Sequence, residues 1–301
     1  MIHYNSLPFN FLGIPEEQSN FENAQVVIFP VPYEATTSYQ AGTRDAPHEI
    51  IWASRNVELY DEELQKETYL IGIHTLEEMI PVLGNAEAMM GDLYQVSHQI
   101  VQSGKFQVTL GGEHAITSPL VRAHLEKWPA LGVLQIDAHA DLRDSFEGSK
   151  HSHASALRRV VELCPVVHVG IRNISKEEVD ALPSLRSTIF YMKDIEKDPE
   201  WFVKVVDALP EHVYFTIDID GMDSSLMPAT GTPEPGGLTW RDVMNLTREL
   251  TSRRKVVGLD LVELCPQGGV KAPAFLCAKM IYKILGYVFD NRQDAKAPSQ
   301  Q

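Results

Sequence analysis

Eight short runs rich in β-branched and other apolar residues recur along the chain, at Gln25–Val31, Tyr69–Ile73, Phe106–Leu110, Leu131–Asp137, Val166–Ile171, Thr188–Met192, Val213–Asp218 and Lys255–Val262. Each is almost continuously hydrophobic, the pattern of a strand covered on both faces rather than one showing alternate residues to water. Between them lie segments with helical spacing: Ala86–Ser103, Ser118–Lys127, Ser152–Leu163, Glu200–Leu209, Thr239–Arg253 and Ala274–Phe289. This alternation predicts an α/β fold, a single three-layer αβα domain whose mostly parallel sheet of about eight strands has helices on both sides. No linker, repeat or low-complexity block divides residues 1–301, so one domain is expected, with a core of about 26–290 and a polar tail over 291–301.

Charge narrows the partners. With 26 basic against 41 acidic residues the chain carries a net −15, which opposes nucleic-acid binding, where lysine and arginine must displace counterions from phosphates. An acidic surface suits a cationic small molecule. The three cysteines, Cys164, Cys265 and Cys277, are scattered with no CxxC spacing, which predicts neither a disulfide framework nor a zinc ribbon and fits a reducing compartment. No basic leader with an apolar run opens the chain, and no stretch reads as a membrane span. The expectation is a cytoplasmic protein without a membrane partner.

Five of the eleven histidines fall between His114 and His153, and the same stretch holds Ile136-Asp137-Ala138-His139-Ala140-Asp141 at the end of a predicted strand. In an extended chain residues i, i+2 and i+4 face one side, so Asp137, His139 and Asp141 are expected to converge. Buried carboxylates need a compensating cation, and a divalent metal supplies one directly. The strand 213–218 likewise ends in Asp218-Ile219-Asp220, and the strand 106–110 ends in Gly111-Gly112-Glu113-His114. Taken singly, each motif is more often a helix cap or a tight turn. Together, four aspartates and two histidines at three strand ends point to two divalent ions sharing carboxylates. An oxygen-rich set with two imidazoles favours manganese, although zinc, nickel and cobalt also fit it.

These motifs resemble the ureohydrolase family, which includes arginase and agmatinase. The likeness runs from about Val26 to Asp290 and rests on GGEH at 111–114, IDAHAD at 136–141, SHASALRR at 152–159, the segment 216–240 and VELCP at 262–266. The stretch Tyr39–Ser54 resembles the family's Gly-x-Arg-x-x-Pro approach to its first helix. The resemblance implies that His114, Asp137, Asp141 and Asp218 hold one manganese, and that Asp137, His139, Asp218 and Asp220 hold the other. It also implies a hydroxide shared by the two ions that attacks a guanidinium carbon. In that scheme Glu263 pairs with the guanidinium, Asp141 passes a proton to the leaving amine, and His153 exchanges protons with solvent. The family likeness further implies a homo-oligomer, a trimer or a hexamer.

The segment 141–159 is most like bacterial agmatinases, which implies agmatine, cleaved to putrescine and urea within polyamine synthesis. Asp144 and Glu147 are candidates for an acidic rim that receives the second cation. Other guanidino substrates share such a core, namely aminopropyl agmatine, guanidinobutyrate, guanidine and arginine. Two readings from other classes are a noncatalytic metal-binding regulator of the same fold and a single-zinc deacetylase, the latter disfavoured by the full dinuclear set. Two departures from the family pattern stand out: Ser224, where proline is common, and Ala154, where arginases have glycine. The missing proline is expected to loosen the loop 224–231.

Overall fold

The computed structural model describes residues 6–294, with side chains through 290; the rest of the proposed tail lies outside the described residues. Eight strands form one sheet: β1 (Val26–Val31), β4 (Ile73–Thr75), β5 (Phe106–Gly111), β6 (Gly132–Ile136), β7 (Val166–Ile171), β8 (Ser187–Tyr191), β9 (His212–Asp218) and β10 (Lys255–Val262). Two further short strands, β2 (Tyr60–Asp61) and β3 (Lys66–Glu67), make a separate antiparallel hairpin. Every pairing in the large sheet is parallel, in the order β4-β1-β5-β10-β9-β6-β7-β8. The chain is a single α/β domain, as its alternating pattern predicts.

Alternate residues of one strand enter different cores. Val26 and Ile28 pack with the helices Ala46–Ser54, Trp240–Arg253 and Ala272–Asp294, whereas Val27, Phe29 and Val31 pack with Ala86–Gln102, Thr117–Leu125 and Ala156–Leu163. Both faces are therefore buried, which is why the strands read as unbroken apolar runs. The starts of two of the long helices are capped by side chains. Asn85 accepts the amide of Ala88 at 3.0 Å, and Thr239 and Asp242 cap one another reciprocally.

The structure departs from the sequence reading at the 69–73 run and in the last helix, among other places. The apolar run 69–73 is not a strand: Thr68–Ile71 forms a 3-10 turn, and β4 begins only at Ile73. Gly72 breaks the run with φ 77°, backed so closely on Ala24 that a Cβ would lie 2.8 Å from its Cα. The last helix extends to Asp294, past the expected start of the tail. Its Ala272–Asp290 portion does reach the length and apolarity of a bilayer span, contrary to expectation, but 78% of that stretch is buried in the core.

The hairpin is pinned to this last helix by a buried charge cluster. Lys283 Nζ donates to Asp61 Oδ1 at 3.0 Å and to Glu63 Oε2 at 2.8 Å, and Tyr287 donates to the same Glu63 oxygen at 2.7 Å. Arg248, ahead of Lys283 and Tyr287, holds the Glu63 carboxyl down at about 2 from an ordinary 4.5. A carboxylate depressed on folding stabilises the fold fully above its unfolded value, and the benefit fades as pH falls toward the folded one. Lys283→Met leaves Asp61 buried without its cation, so denaturant unfolding at pH 7 should show a loss of about 3 kcal/mol. The deficit against wild type should shrink as the pH is lowered from 4.5 toward 2.

Candidate active site

The four central neighbours in the sheet, β5, β10, β9 and β6, carry the candidate residues at their carboxyl ends, the edge where α/β sheets bind ligands. Register brings them together. Val262 pairs with Asp218 and Ile136 with Ile217, so Glu263 and Asp137 each lie one residue beyond strands that flank β9. His114 follows β5 after a Gly-Gly turn, in which a Cβ on Gly112 would meet the Tyr33 carbonyl oxygen at 2.2 Å.

Two groups of ligand atoms result, His114 with Asp137 and Asp218, and Asp137 with His139 and Asp220. His114 Nδ1 is 3.1 Å from both Asp137 Oδ2 and Asp141 Oδ2 and 3.5 Å from Asp218 Oδ2. His139 Nδ1 is 2.9 Å from Asp220 Oδ2 and 3.6 Å from Asp137 Oδ1. Asp137 thus belongs to both groups. The convergence of residues 137, 139 and 141 does not come from a β pleat, because β6 ends at Ile136 and Asp141 turns left-handed with φ 53°. That conformation is costly for an aspartate and puts its carboxylate beside His114.

The donor set fits a pair of divalent cations. His114 Nδ1 is fully buried and makes no hydrogen bond despite three carboxylates around it. Its other nitrogen is engaged, with Nε2 2.9 Å from the Thr216 hydroxyl, which itself donates to Asp260 at 2.6 Å. Thr216 therefore accepts from Nε2–H, which leaves the Nδ1 lone pair free to ligate. Burial would push His139 down, but Asp220 and Asp137 outweigh it and carry it up to about 12. His114 is raised in the same way by Asp137, Asp141 and Asp218. Burial and the Asp137 charge lift Asp141 to about 7, and burial with Asp220 and Asp137 lifts Asp218. Protons thus fill the role that metal charge takes when ions bind. Thr216→Val removes the partner that sets the His114 tautomer, and metal titration should show affinity lower by about 10- to 100-fold.

Beside these groups lies a cavity of about 160 Å³, lined in its depth by Asp141, Asp218, Asp220, His139, His153 and Glu263. Glu263 adopts φ 65°, and its Oε1 accepts the His114 amide at 2.7 Å. Burial raises its carboxyl well above the ordinary range. His153 is pushed down to about 4 by burial and by the charges on His114 and His139. Its Nδ1 lies 3.2 Å from Thr36 Oγ1, which donates to Glu113 at 2.8 Å and accepts the His153 amide at 3.0 Å. Nδ1 is therefore the protonated nitrogen, and Nε2 is left as an acceptor.

Asp144 and Glu147 are not brought to this cavity. Asp144 is turned outward, held by Arg159 at 2.8 Å and facing Lys150 at 3.8 Å, while Glu147 is exposed on the same loop. The loop 224–231, which carries Ser224, is tied to its surroundings by its neighbours. The Asp223 carboxylate accepts the amides of Ser225, Gly236 and Gly237, and Met227 and Ala229 are fully buried. Ala154 lines the cavity.

Several supporting residues escape sequence reasoning because their partners come from distant segments. Arg172 binds the carbonyls of Gly170, Asp220, Gly221, Met222, Glu234 and Pro235 and so fixes the turn that carries Asp220. Gln135 donates to Asp137 at 2.6 Å and is itself bonded to His168, a buried neutral imidazole pushed down to about 3 by burial.

The model of the Arginase family matches residues 24–286. The chain belongs to the arginase family. This arginase-family chain is 40% identical to the N(1)-aminopropylagmatine ureohydrolase of Synechocystis sp., over 94% of its own length and 95% of the relative's. It is 34% identical to the agmatinase of Bacillus anthracis, over 82% and 86% of the two chains. Its fold superimposes on the crystal structure of agmatine ureohydrolase from Thermoplasma volcanium with a TM-score of 0.84, at 28% identity, covering 95% of this chain and 96% of that one.

Proposed function

We propose that this chain hydrolyses a linear guanidino amine to urea and the free amine, with N1-aminopropylagmatine ahead of agmatine as substrate and manganese as the resident metal. The observation that carries the reading is the pair of His/Asp groups sharing Asp137 beside a cavity walled by Glu263. The Synechocystis relative, more similar than the Bacillus agmatinase, favours the longer amine.

His114, Asp137, Asp141 and Asp218 would hold one ion and Asp137, His139, Asp218 and Asp220 the other. Bound there, two divalent cations supply a water acidic enough to act as nucleophile near neutral pH. The chain's own residues do the rest. Glu263 offers a carboxylate to the planar guanidinium, for which a paired N–H fork is the natural partner. That contact fixes the carbon at the metal end of the cavity. Asp141, whose carboxylate lines the cavity at its metal end, would take the proton given up by the attacking water and pass it to the departing amine as the C–N bond breaks. His153, neutral with a free Nε2, exchanges protons between cavity and solvent.

One observation favours a second substrate. Arg143 lines the cavity, and its side chain stacks over Phe146 at 5.4 Å with no carboxylate partner among the described residues. A cation there suits a guanidino acid such as guanidinobutyrate. Urea release from N1-aminopropylagmatine, agmatine, guanidinobutyrate, arginine and guanidine, with protein loaded with manganese and counted for metal, tests both. Turnover of the two amines supports the proposal. Activity confined to guanidinobutyrate replaces it with the second reading, and two bound ions with no urea from any substrate makes the chain a binder.

A further inference from the structure

The cavity is walled partly by the loop Thr37–Gln40. Two buried carboxylates strap this loop at its ends. Glu113 accepts the amides of Ala35 and Thr36, both at 2.7 Å, and Glu34 accepts those of Gly42 at 2.8 Å and Arg44 at 2.9 Å. Between the straps, Ser38, Tyr39 and Gln40 make no hydrogen bond among the described residues. Tyr39 lines the cavity, yet the residue is 75% exposed. The straps fix where the loop leaves and rejoins the core, and no hydrogen bond among the described residues holds Ser38–Gln40 in between.

The carboxylates of the cavity are already committed. Asp141, Asp218, Asp220 and Glu263 lie at the metal end. Glu178, the remaining one, accepts the Leu142 amide at 2.9 Å and the Ser175 amide at 2.8 Å as part of a helix cap. Arg143 is positive and repels an ammonium from its own part of the wall. Glu234, at the cavity edge 4.0 Å from His139, accepts from Asn173 at 2.7 Å. A cation on the far end of a bound substrate therefore meets no uncommitted carboxylate among the residues lining the cavity, whereas the face of a phenol ring attracts a cation through its quadrupole.

We propose that Tyr39 is a specificity-determining residue that receives the distal ammonium of the substrate on its ring face, as the loop 37–40 settles over the polymethylene tail. The inference rests on the guanidino-amine reading of the cavity. It assigns selection between amine-tailed and neutral-tailed guanidines to an aromatic contact at the mouth. The reacting end, held by Glu263, is indifferent to the tail.

The test compares wild type, Tyr39→Leu and Tyr39→Phe, all loaded with manganese, on N1-aminopropylagmatine, agmatine and N-butylguanidine, whose tail is uncharged. Tyr39→Leu keeps apolar bulk and removes the ring, so KM for both amines should rise about 5-fold while kcat stays within about 2-fold. N-butylguanidine should respond by less than about 2-fold, and Tyr39→Phe should behave as wild type. Calorimetric titration with spermidine reads the same contact without turnover, and its Kd should rise about 5-fold in Tyr39→Leu. Equal losses on all three substrates, a loss carried by kcat, or unchanged spermidine affinity overturns the proposal. Absence of urea from every guanidine in wild type overturns the hydrolase reading instead, and the spermidine titration then still decides the role of Tyr39.

Discussion

Asp137→Asn should lower urea release by about 10³-fold or more, and metal analysis should find both ions weakened or lost. The reason is the position of this side chain. It is fully buried and belongs to both ligand groups, and in the proposed assignment only Asp218 would likewise serve both ions. Its oxygens are also acceptors for fixed donors, Oδ1 for the His139 amide at 2.6 Å and Oδ2 for Gln135 Nε2 at 2.6 Å. An asparagine amide must turn its NH2 toward one of them, setting donor against donor in a buried space. It also removes the negative charge the two cations share. His153→Ala is the contrasting control. That ring lies outside the ligand groups, so both ions should remain while turnover falls by about 10²-fold, the usual contribution of a proton-transfer group. Equal metal loss in the two variants, or two retained ions in Asp137→Asn, would refute the roles given to them.

Why these residues are legible from sequence, and others are not, follows from how far apart the contacting atoms lie along the chain. Strands with both faces buried announce themselves as apolar runs, so β1, β5 to β7, β9 and β10 fall where the pattern puts them. The 69–73 run misleads because burial, not pairing, is its purpose: Ile71 enters the core from a 3-10 turn. Asp137, His139, Asp218 and Asp220 are visible because carboxylates and imidazoles gathered at buried strand ends require a cation to offset their charge. Asp144 and Glu147 stand out by charge alone, and charge on a loop does not say which way a side chain turns. Lysine and arginine partners capture one of them. Arg172 carries no local signature, since the six carbonyls it gathers come from two other stretches of chain as well as its own strand. Thr216 and Gln135 sit inside apolar strands, where a polar residue is a hint of a buried partner but not of its identity. Glu113 is overshadowed in the sequence by His114, although its burial under three donors ties the 34–36 segment to the metal end.

Glu263→Gln should separate activity from stability. Glu263 is 8% exposed, and no cation pairs with it among the described residues; its neighbours include Glu113 and Asp220, whose charges add to burial in raising its carboxyl. A buried carboxylate in that position disfavours the free protein, and a guanidinium entering the cavity supplies the missing charge. Glutamine keeps the shape and keeps an oxygen to accept the His114 amide at 2.7 Å, so the ligand histidine should hold its place and both ions should bind. What disappears is the charged acceptor for the substrate. kcat/KM for any guanidino amine should fall by about 10²-fold or more, the scale of a buried, charge-assisted pair left with one partner. The metal-free variant should meanwhile unfold at a higher temperature than metal-free wild type, because an uncompensated buried charge has been removed. The two readouts together distinguish a substrate-holding carboxylate from a structural one. If Glu263 served only to brace His114, glutamine would cost little activity, and if it were a metal ligand, the ion count would drop. A fall in kcat/KM with two ions retained and a raised melting temperature is the pattern expected only of a side chain whose charge is reserved for the substrate.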